Sequence, residues 1–130
     1  MFASFAKTSN SIGKSHYVIQ KTVDLICKEC DFIPNFIKID VEGAELEVLK
    51  GSLNVIKKYN PVILVEIQNH KSYQEIQELL SSCGYINIDP SKKSDDSMNK
   101  VAVSKTSDFE KGTNNYVWIN PANPISWNFR

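Results

Sequence analysis

The sequence predicts an α/β domain with a mostly parallel sheet. Segments with strand composition alternate with segments whose apolar residues recur every three or four positions, which is typical of strand–helix–strand units. One strand segment, Val62–Val65, is a continuous apolar run, and such runs indicate a strand that is covered on both faces. A polar loop without helical periodicity joins the last two strands, so we expect these strands to pair antiparallel at the edge of the sheet.

The N-terminal third begins with a loose lead-in that is expected over residues 1–20, of which residues 1–15 are small and polar. A short strand is predicted within it at Tyr17–Ile19. Thr22 has the side chain of a helix N-cap and predicts a short helix over Val23–Lys28. A proline and an asparagine then separate this helix from the main strand, Phe36–Asp40.

The next helical pattern spans residues 46–56, where leucine and isoleucine recur at helical spacing. Gly51 and Ser52 interrupt this pattern, so a break is predicted there, with Ser52 capping the second piece. An Asn-Pro dipeptide ends that piece and leads into the second strand, which closes with an acid at Glu66.

The last helix is marked at both ends. Ser72–Glu75 has the sequence of a capping box, and the apolar stripe behind it is closed by Gly84, a residue suited to a helix C-terminus. A strand at Tyr85–Ile88 follows.

The C-terminal third contains a polar loop over residues 91–114, with a short strand near Val101–Val103, and a final strand at Tyr116–Ile119. A chain of 130 residues forms one domain at most. We expect its core to span residues 21–120, with a tail over 121–130.

Composition argues against several classes of partner. The formal net charge is zero and the only arginine is Arg130, whereas nucleic-acid readout relies on a basic face and arginine forks. No apolar run is long enough to span a membrane.

The cysteine count is odd and the N-terminus has no signal-peptide pattern, so we expect reduced thiols and a cytoplasmic protein. Cys27 and Cys30 form a lone C-x-x-C, which lacks the second pair that a structural zinc site requires.

Three carboxylates terminate the two consecutive strands: Asp40, Glu42 and Glu66. Ligands of open α/β sheets bind outside the carboxyl ends of the strands, and consecutive strands are usually neighbours. One of these carboxylates can therefore act as a general base towards an attacking hydroxyl. Asn69 and His70, shortly after Glu66, can add hydrogen bonds to a substrate.

Other interpretations of these acids stay open. Asp40 and Glu66 could hold a divalent metal, which prefers oxygen ligands, and would then suit a metal-dependent hydrolase. Asp40 could instead be an N-cap or turn residue. Glu66 could pair with a lysine, and His70 could be a solvated loop residue. Glu45 and Glu47 lie in the first turn of a helix, where the dipole favours negative charge, and no further role is assigned to them.

Two longer strings carry a family resemblance. Residues 37–45 are IKIDVEGAE and residues 61–67 are PVILVEI, and KTVDL at residues 21–25 precedes them. At this spacing they resemble the FkbM-type methyltransferases, a family of S-adenosylmethionine-dependent O-methyltransferases. The resemblance extends over roughly half of the chain.

The resemblance implies a seven-stranded, Rossmann-like class I methyltransferase sheet. It implies S-adenosylmethionine as the methyl donor and a hydroxyl of a sugar or small metabolite as the acceptor. Asp40, Glu42 and Glu66 would be the catalytic residues. Asp40, Val41 and Gly43 would contact the donor.

The chain departs from the family pattern in its N-terminal part. It contains no G-x-G sequence, and the segment before Phe36 is too short to form three strands with their helices. We therefore expect the C-terminal half of the domain, weak or inactive alone, with an open apolar sheet edge. Residues 1–35, a second copy or another chain would cover that edge. The alternative is a degenerate, non-enzymatic half-domain that acts in protein–protein association.

Overall fold

The computed structural model describes residues 4–8, 16–88 and 115–123. It contains a two-stranded antiparallel sheet and a separate four-stranded sheet. In chain order the elements are β1 (Ser4–Thr8), β2 (His16–Gln20), α1 (Val23–Glu29), β3 (Phe36–Ile39), α2 (Glu45–Lys50), α3 (Leu53–Tyr59), β4 (Val62–Glu66), α4 (His70–Ser82), β5 (Ile86–Ile88) and β6 (Asn115–Ile119).

Residues 4–8 and 16–20 form two strands, of which the sequence suggested only the second. The strand predicted at Tyr17–Ile19 is confirmed within β2, but β1 pairs with it from Ser4↔Gln20 to Thr8↔His16. The expectation of a loose lead-in over residues 1–20 is therefore wrong for both strands. The strand predicted near Val101–Val103 lies outside the described residues.

The four-stranded sheet has the order β3-β4-β6-β5. β3 and β4 are parallel, whereas β6 is antiparallel to both β4 and β5. The α/β class and the antiparallel final strand are confirmed, but the sheet is mixed, because only one of its neighbouring pairs is parallel. The expectation that the last two strands pair antiparallel at the edge is confirmed, with β5 as the edge strand and β6 next to it inside the sheet. Its Tyr116 and Trp118 are buried, which suits an interior strand better than an edge.

Both faces of β4 are covered, as its continuous apolar run predicted. One face carries the main core, to which the sheet contributes Ile39, Ile63, Val65 and Trp118 and the helices contribute Leu49, Ile56, Ile76 and Leu80. The other face carries a smaller cluster formed by Val62, Ile88 and Ile119. The alternation of side chains along each strand produces this division.

The predicted break between α2 and α3 is confirmed at Gly51 and Ser52. Ser52 is the N-cap residue of α3, as predicted, but its side chain makes no capping hydrogen bond. Ser52 is fully buried, and its hydroxyl donates instead to the carbonyl oxygen of Val48 at 2.6 Å. A buried serine hydroxyl finds its acceptor in the preceding helical turn, which leaves the N-terminus of α3 to another group.

Asp24 of α1 is the group that caps α3. Its carboxylate accepts hydrogen bonds from the backbone N–H groups of Asn54 at 3.1 Å and Val55 at 2.9 Å. The backbone N–H of Asp24 donates in turn to the carbonyl oxygen of Gly51 at 3.0 Å. A Cβ at Gly51 would lie 3.2 Å from the side chain of Thr22, so the glycine permits this close approach of α1 to the break.

Helix α4 begins earlier than predicted. Asn69 is the N-cap, and its side-chain oxygen accepts a hydrogen bond from the backbone N–H of Ser72 at 2.9 Å. The capping box predicted at Ser72–Glu75 is therefore wrong. Asparagine and serine cap helices about equally well, and the pattern did not distinguish two candidates three residues apart.

The end of α4 matches the prediction. Gly84 has a φ of 83°, a conformation that glycine adopts without strain. Its N–H donates to the carbonyl oxygen of Ser81 at 2.9 Å, and the N–H of Tyr85 donates to that of Leu80 at 3.0 Å. These two bonds form a Schellman motif, which directs the chain into β5.

Replacing Asp24 by alanine should lower the free energy of unfolding by about 1–3 kcal/mol, because α3 would lose its cap and its link to α1. Urea denaturation followed by circular dichroism would measure this. The control is Asp31→Asn, which removes a charge at an exposed site nearby. Equal stability of the two variants would contradict the capping role.

Replacing Tyr85 by phenylalanine should cost about 1–2 kcal/mol, because the buried Tyr85 hydroxyl donates to the carbonyl oxygen of Pro61 at 2.8 Å. Burial raises the pKa of Tyr85, and the neighbouring Cys83 adds to this shift. The folded protein thus keeps the phenol neutral, while the unfolded chain ionises it above a pH of about 10.

The stabilisation by Tyr85 should therefore be complete below that pH and decline above it. The difference in stability between the wild type and Tyr85→Phe should narrow as the pH rises beyond this point. Chemical denaturation across the alkaline range would test this, with the half-buried Tyr59 replaced by phenylalanine as control. A constant difference across the range would refute the assignment.

Candidate active site

The carboxyl ends of β3 and β4 bring two of the predicted acids together. The strands pair in parallel with Ile39 opposite Val65, so the next residues, Asp40 and Glu66, are neighbours on strands about 5 Å apart. Ile39 and Val65 point into the core, and alternation directs Asp40 and Glu66 to the opposite face. The expected placement of both acids on one edge of the sheet is confirmed.

Strand β6 adds a residue that the sequence did not reveal. Asn115 pairs with Glu66 across the antiparallel ladder, and its side chain is exposed. One row of polar residues therefore crosses the end of the sheet from Asp40 through Glu66 to Asn115. No local pattern could have identified Asn115, because its partner is distant along the chain.

A tight turn connects Asp40 to α2. Glu42 has a φ of 47° and Gly43 a φ of 105°, so two successive residues have positive φ. Both residues are exposed, as are Asp40 and Val41. A Cβ at Gly43 would meet no atom within 4 Å, so the glycine is required by its backbone conformation, and the space beside it is open to a ligand.

Lys38 provides a positive charge next to Asp40. Its ammonium nitrogen lies 3.3 Å from a carboxylate oxygen of Asp40, and the two side chains are 54% and 46% exposed. An ion pair of this exposure is weak, so an incoming ligand can displace it. Lys38 and Asp40 lie two positions apart along β3 and therefore share one face of the sheet.

Asn69 and His70 follow β4 at the same edge, where Asn69 is the N-cap of α4 and His70 is its first residue. Both are exposed. The side-chain oxygen of Asn69 is engaged in capping α4, so a contact with substrate would use its amide nitrogen. The His70 ring lies 6.5 Å from the ring of Tyr73. Their role in substrate binding stays a prediction.

An aromatic cluster supports this edge from the core side. The ring centroids of Tyr73 and Tyr116 are 4.8 Å apart, and those of Tyr116 and Trp118 are 5.9 Å apart. The indole N–H of Trp118 donates to the side-chain oxygen of Gln77 at 3.1 Å. Tilted aromatic packing of this kind holds α4 firmly against the strands that end at the site.

Glu45 was expected only as a negative charge in the first turn of a helix, and its side chain is buried. Only 3% of the residue is exposed. Its carboxylate accepts a hydrogen bond from the backbone N–H of Gly43 at 2.7 Å. Glu47, on the same helix, is exposed and pairs with Lys50.

Metal-binding groups are sparse in the described part of the chain. No three His, Cys, Asp or Glu side chains lie close enough there to hold a metal ion.

The free thiols of Cys27 and Cys30 differ in exposure, since Cys27 is buried and Cys30 is exposed. Burial raises the pKa of the Cys27 thiol, with smaller contributions from Asp24 and Cys30.

A separate cavity of about 660 Å³ lies between α1 and α3, where Asp24, Phe32 and Lys58 are among its lining residues. None of the predicted site residues lines it.

Among the described helices, none is long and apolar enough to cross a membrane.

Comparison with known proteins supports the family resemblance. The model of the methyltransferase FkbM domain matches residues 2–86. The hexuronic acid methyltransferase AglP of Haloferax volcanii is 50% identical over 48 residues, which are 37% of this chain and 20% of that protein. The matched segment is thus about a fifth of the length of that relative. No solved structure gave a significant match.

Replacing Gly43 by alanine should lower the free energy of unfolding by about 1–3 kcal/mol, because an L-residue is strained at this φ. Glu42→Gly should instead raise stability by about 0.5–1 kcal/mol, since it relieves a left-handed conformation. Thermal and urea unfolding would measure both. A neutral Gly43→Ala, or a destabilising Glu42→Gly, would disprove the strain at this turn.

Proposed function

We propose, because the chain belongs to the FkbM methyltransferase domain family, that it carries the catalytic edge of an S-adenosylmethionine-dependent O-methyltransferase. The adjacency of Asp40 and Glu66 at the carboxyl ends of two parallel strands is the observation that carries the proposal. The acceptor is a hydroxyl of a sugar or small metabolite. The hexuronic acid named for the Haloferax volcanii relative supports a sugar.

The methyl donor supplies an electrophilic carbon on a positively charged sulfur. Asp40, Val41 and Gly43 would hold the donor. The open space beside Gly43 and the exposed carboxylate of Asp40 fit this role, because a close backbone approach and a hydrogen-bond acceptor suit a polar ligand with hydroxyl groups.

The carboxylates then serve the acceptor. Methyl transfer is an in-line displacement, so much of its acceleration comes from holding the attacking oxygen in line with the bond that breaks. Asp40, Glu42 or Glu66 accepts the hydroxyl proton as the new bond forms. Asn69 and His70 orient the acceptor from the start of α4.

The chain contributes only part of the domain, so donor binding and methyl transfer by it alone are expected to be weak but measurable. Within the described residues no strand pairs with the outer edge of β3. The exposed large apolar residues of the described part all lie between residues 18 and 41 of the sequence, and Phe36 belongs to β3 itself: Val18, Ile19, Ile26, Phe32, Ile33, Phe36 and Val41. An unpaired strand edge with an exposed apolar side chain is typical of a surface that another segment covers.

The same surface favours a second candidate function. A half-domain that has lost catalysis could use this apolar region for protein–protein association. The two functions differ in the importance of the acids, since association through β3 does not require Asp40 or Glu66 to be ionised.

The decisive measurement is transfer of a labelled methyl group from S-adenosylmethionine to a panel of uronic acid glycosides. Asp40→Asn and Glu66→Gln should each lower the rate by about 100-fold or more, because each removes a candidate base from the shared edge. Glu47→Gln is the matched control, since Glu47 lies on α2 and is exposed.

Two outcomes would count against the enzyme. One is acid variants that are as active as the control. The other is a wild-type protein that neither transfers methyl groups nor binds S-adenosylhomocysteine in calorimetry, yet forms a stable dimer by light scattering. The second outcome would support the association module.

A further inference from the structure

Glu45 is the only buried acidic residue in the described part of the chain, at 3% exposure. A carboxylate is rarely buried without a specific partner, because the loss of hydration is costly. The side chain of neighbouring Glu47, in the same helical turn, is 72% exposed and pairs with Lys50. The helix dipole therefore explains a negative charge in this turn but not the burial of Glu45.

The partner of Glu45 is the backbone of the turn that bears the predicted catalytic acids. Its carboxylate accepts the N–H of Gly43 at 2.7 Å, and a charge-assisted bond of this length is strong. Within this turn, Glu42 and Gly43 are two successive residues with positive φ. Such conformations are costly and persist when surrounding contacts enforce them.

We propose that Glu45 is a positioning residue: its buried carboxylate clamps the Glu42–Gly43 turn and thereby fixes the directions of the Asp40 and Glu42 carboxylates. The hydrogen bond reaches from Glu45 back two residues to Gly43, which directly follows Glu42 and lies three residues after Asp40. The catalytic part of this inference rests on the proposed methyltransferase function, whereas the clamp itself does not.

The clamp also restricts how Gly43 can contact a donor. Because the Gly43 N–H is engaged by Glu45, this backbone donor is not available to a ligand. Contact with the donor would therefore use the Cα and carbonyl oxygen of Gly43. The open space where a Cβ would stand is consistent with such an approach.

Three variants test the inference. Glu45→Ala removes the acceptor, Glu45→Gln keeps an oxygen acceptor without the charge, and Glu47→Ala removes the exposed acid from the same helical turn. The first measurement is amide hydrogen exchange at Gly43 by NMR. Exchange should be roughly tenfold or more faster in Glu45→Ala, largely restored in Glu45→Gln and unchanged in Glu47→Ala.

The second measurement is methyl transfer by the same variants. Glu45→Ala should lower kcat by roughly 10- to 100-fold, with a smaller change in KM, because a displaced acid loses alignment rather than binding. Glu45→Gln should recover most of kcat. If Glu45→Ala does not fold, Glu45→Asp, which withdraws the acceptor by one methylene, takes its place. Carboxyl carbon shifts of Asp40 and Glu42 report their environment without catalysis.

The results separate the two proposals. Unchanged Gly43 exchange in Glu45→Ala, unchanged Asp40 and Glu42 shifts, or a Glu45→Gln variant as impaired as Glu45→Ala would overturn the clamp. A wild-type protein without methyl transfer or S-adenosylhomocysteine binding would instead overturn the proposed function, and the exchange and shift data would still decide the role of Glu45.

Discussion

The parallel pairing of β3 with β4 is the constraint on which the candidate site depends. Its register is fixed by Ile39 and Val65, which are both buried in the main core. A slip of one residue would turn the apolar side chains of one strand to the wrong face. The core therefore does more than stabilise the domain, because it also determines that Asp40 and Glu66 end their strands side by side.

The helices α2 and α3 connect β3 to β4, and contacts with α1 hold them in place. Asp24 joins α1 to the start of α3, and Gly51 allows the close approach of the two segments. The crossover from β3 to β4 thus contains a helix break, and Asp24 of α1, which lies outside the crossover, stabilises it. Because a side chain from another helix caps the second piece, the helix can break over the sheet without leaving backbone N–H groups unpaired in the core.

Features that depend on neighbouring residues could be predicted from the sequence. The Thr22 cap, the left-handed Gly84 and the buried run of β4 depend on local chemistry, and the structure has them as expected. Features that depend on residues distant along the chain could not be predicted in this way. The position of β6 within the sheet, the cap supplied by Asp24 and the burial of Glu45 depend on contacts that periodicity does not encode.

The position of β6 has a consequence for how the sheet is completed during synthesis. β4 gains its second neighbour only when residues 115–119 are available, and β5, made earlier, joins the sheet solely through β6 within the described part of the chain. The segment between β5 and β6 is long, so bringing its ends together carries an entropic cost before the pairing is gained. Within the described part of the chain, β6 is therefore the late-made strand that joins β5 to β3 and β4 in a single sheet.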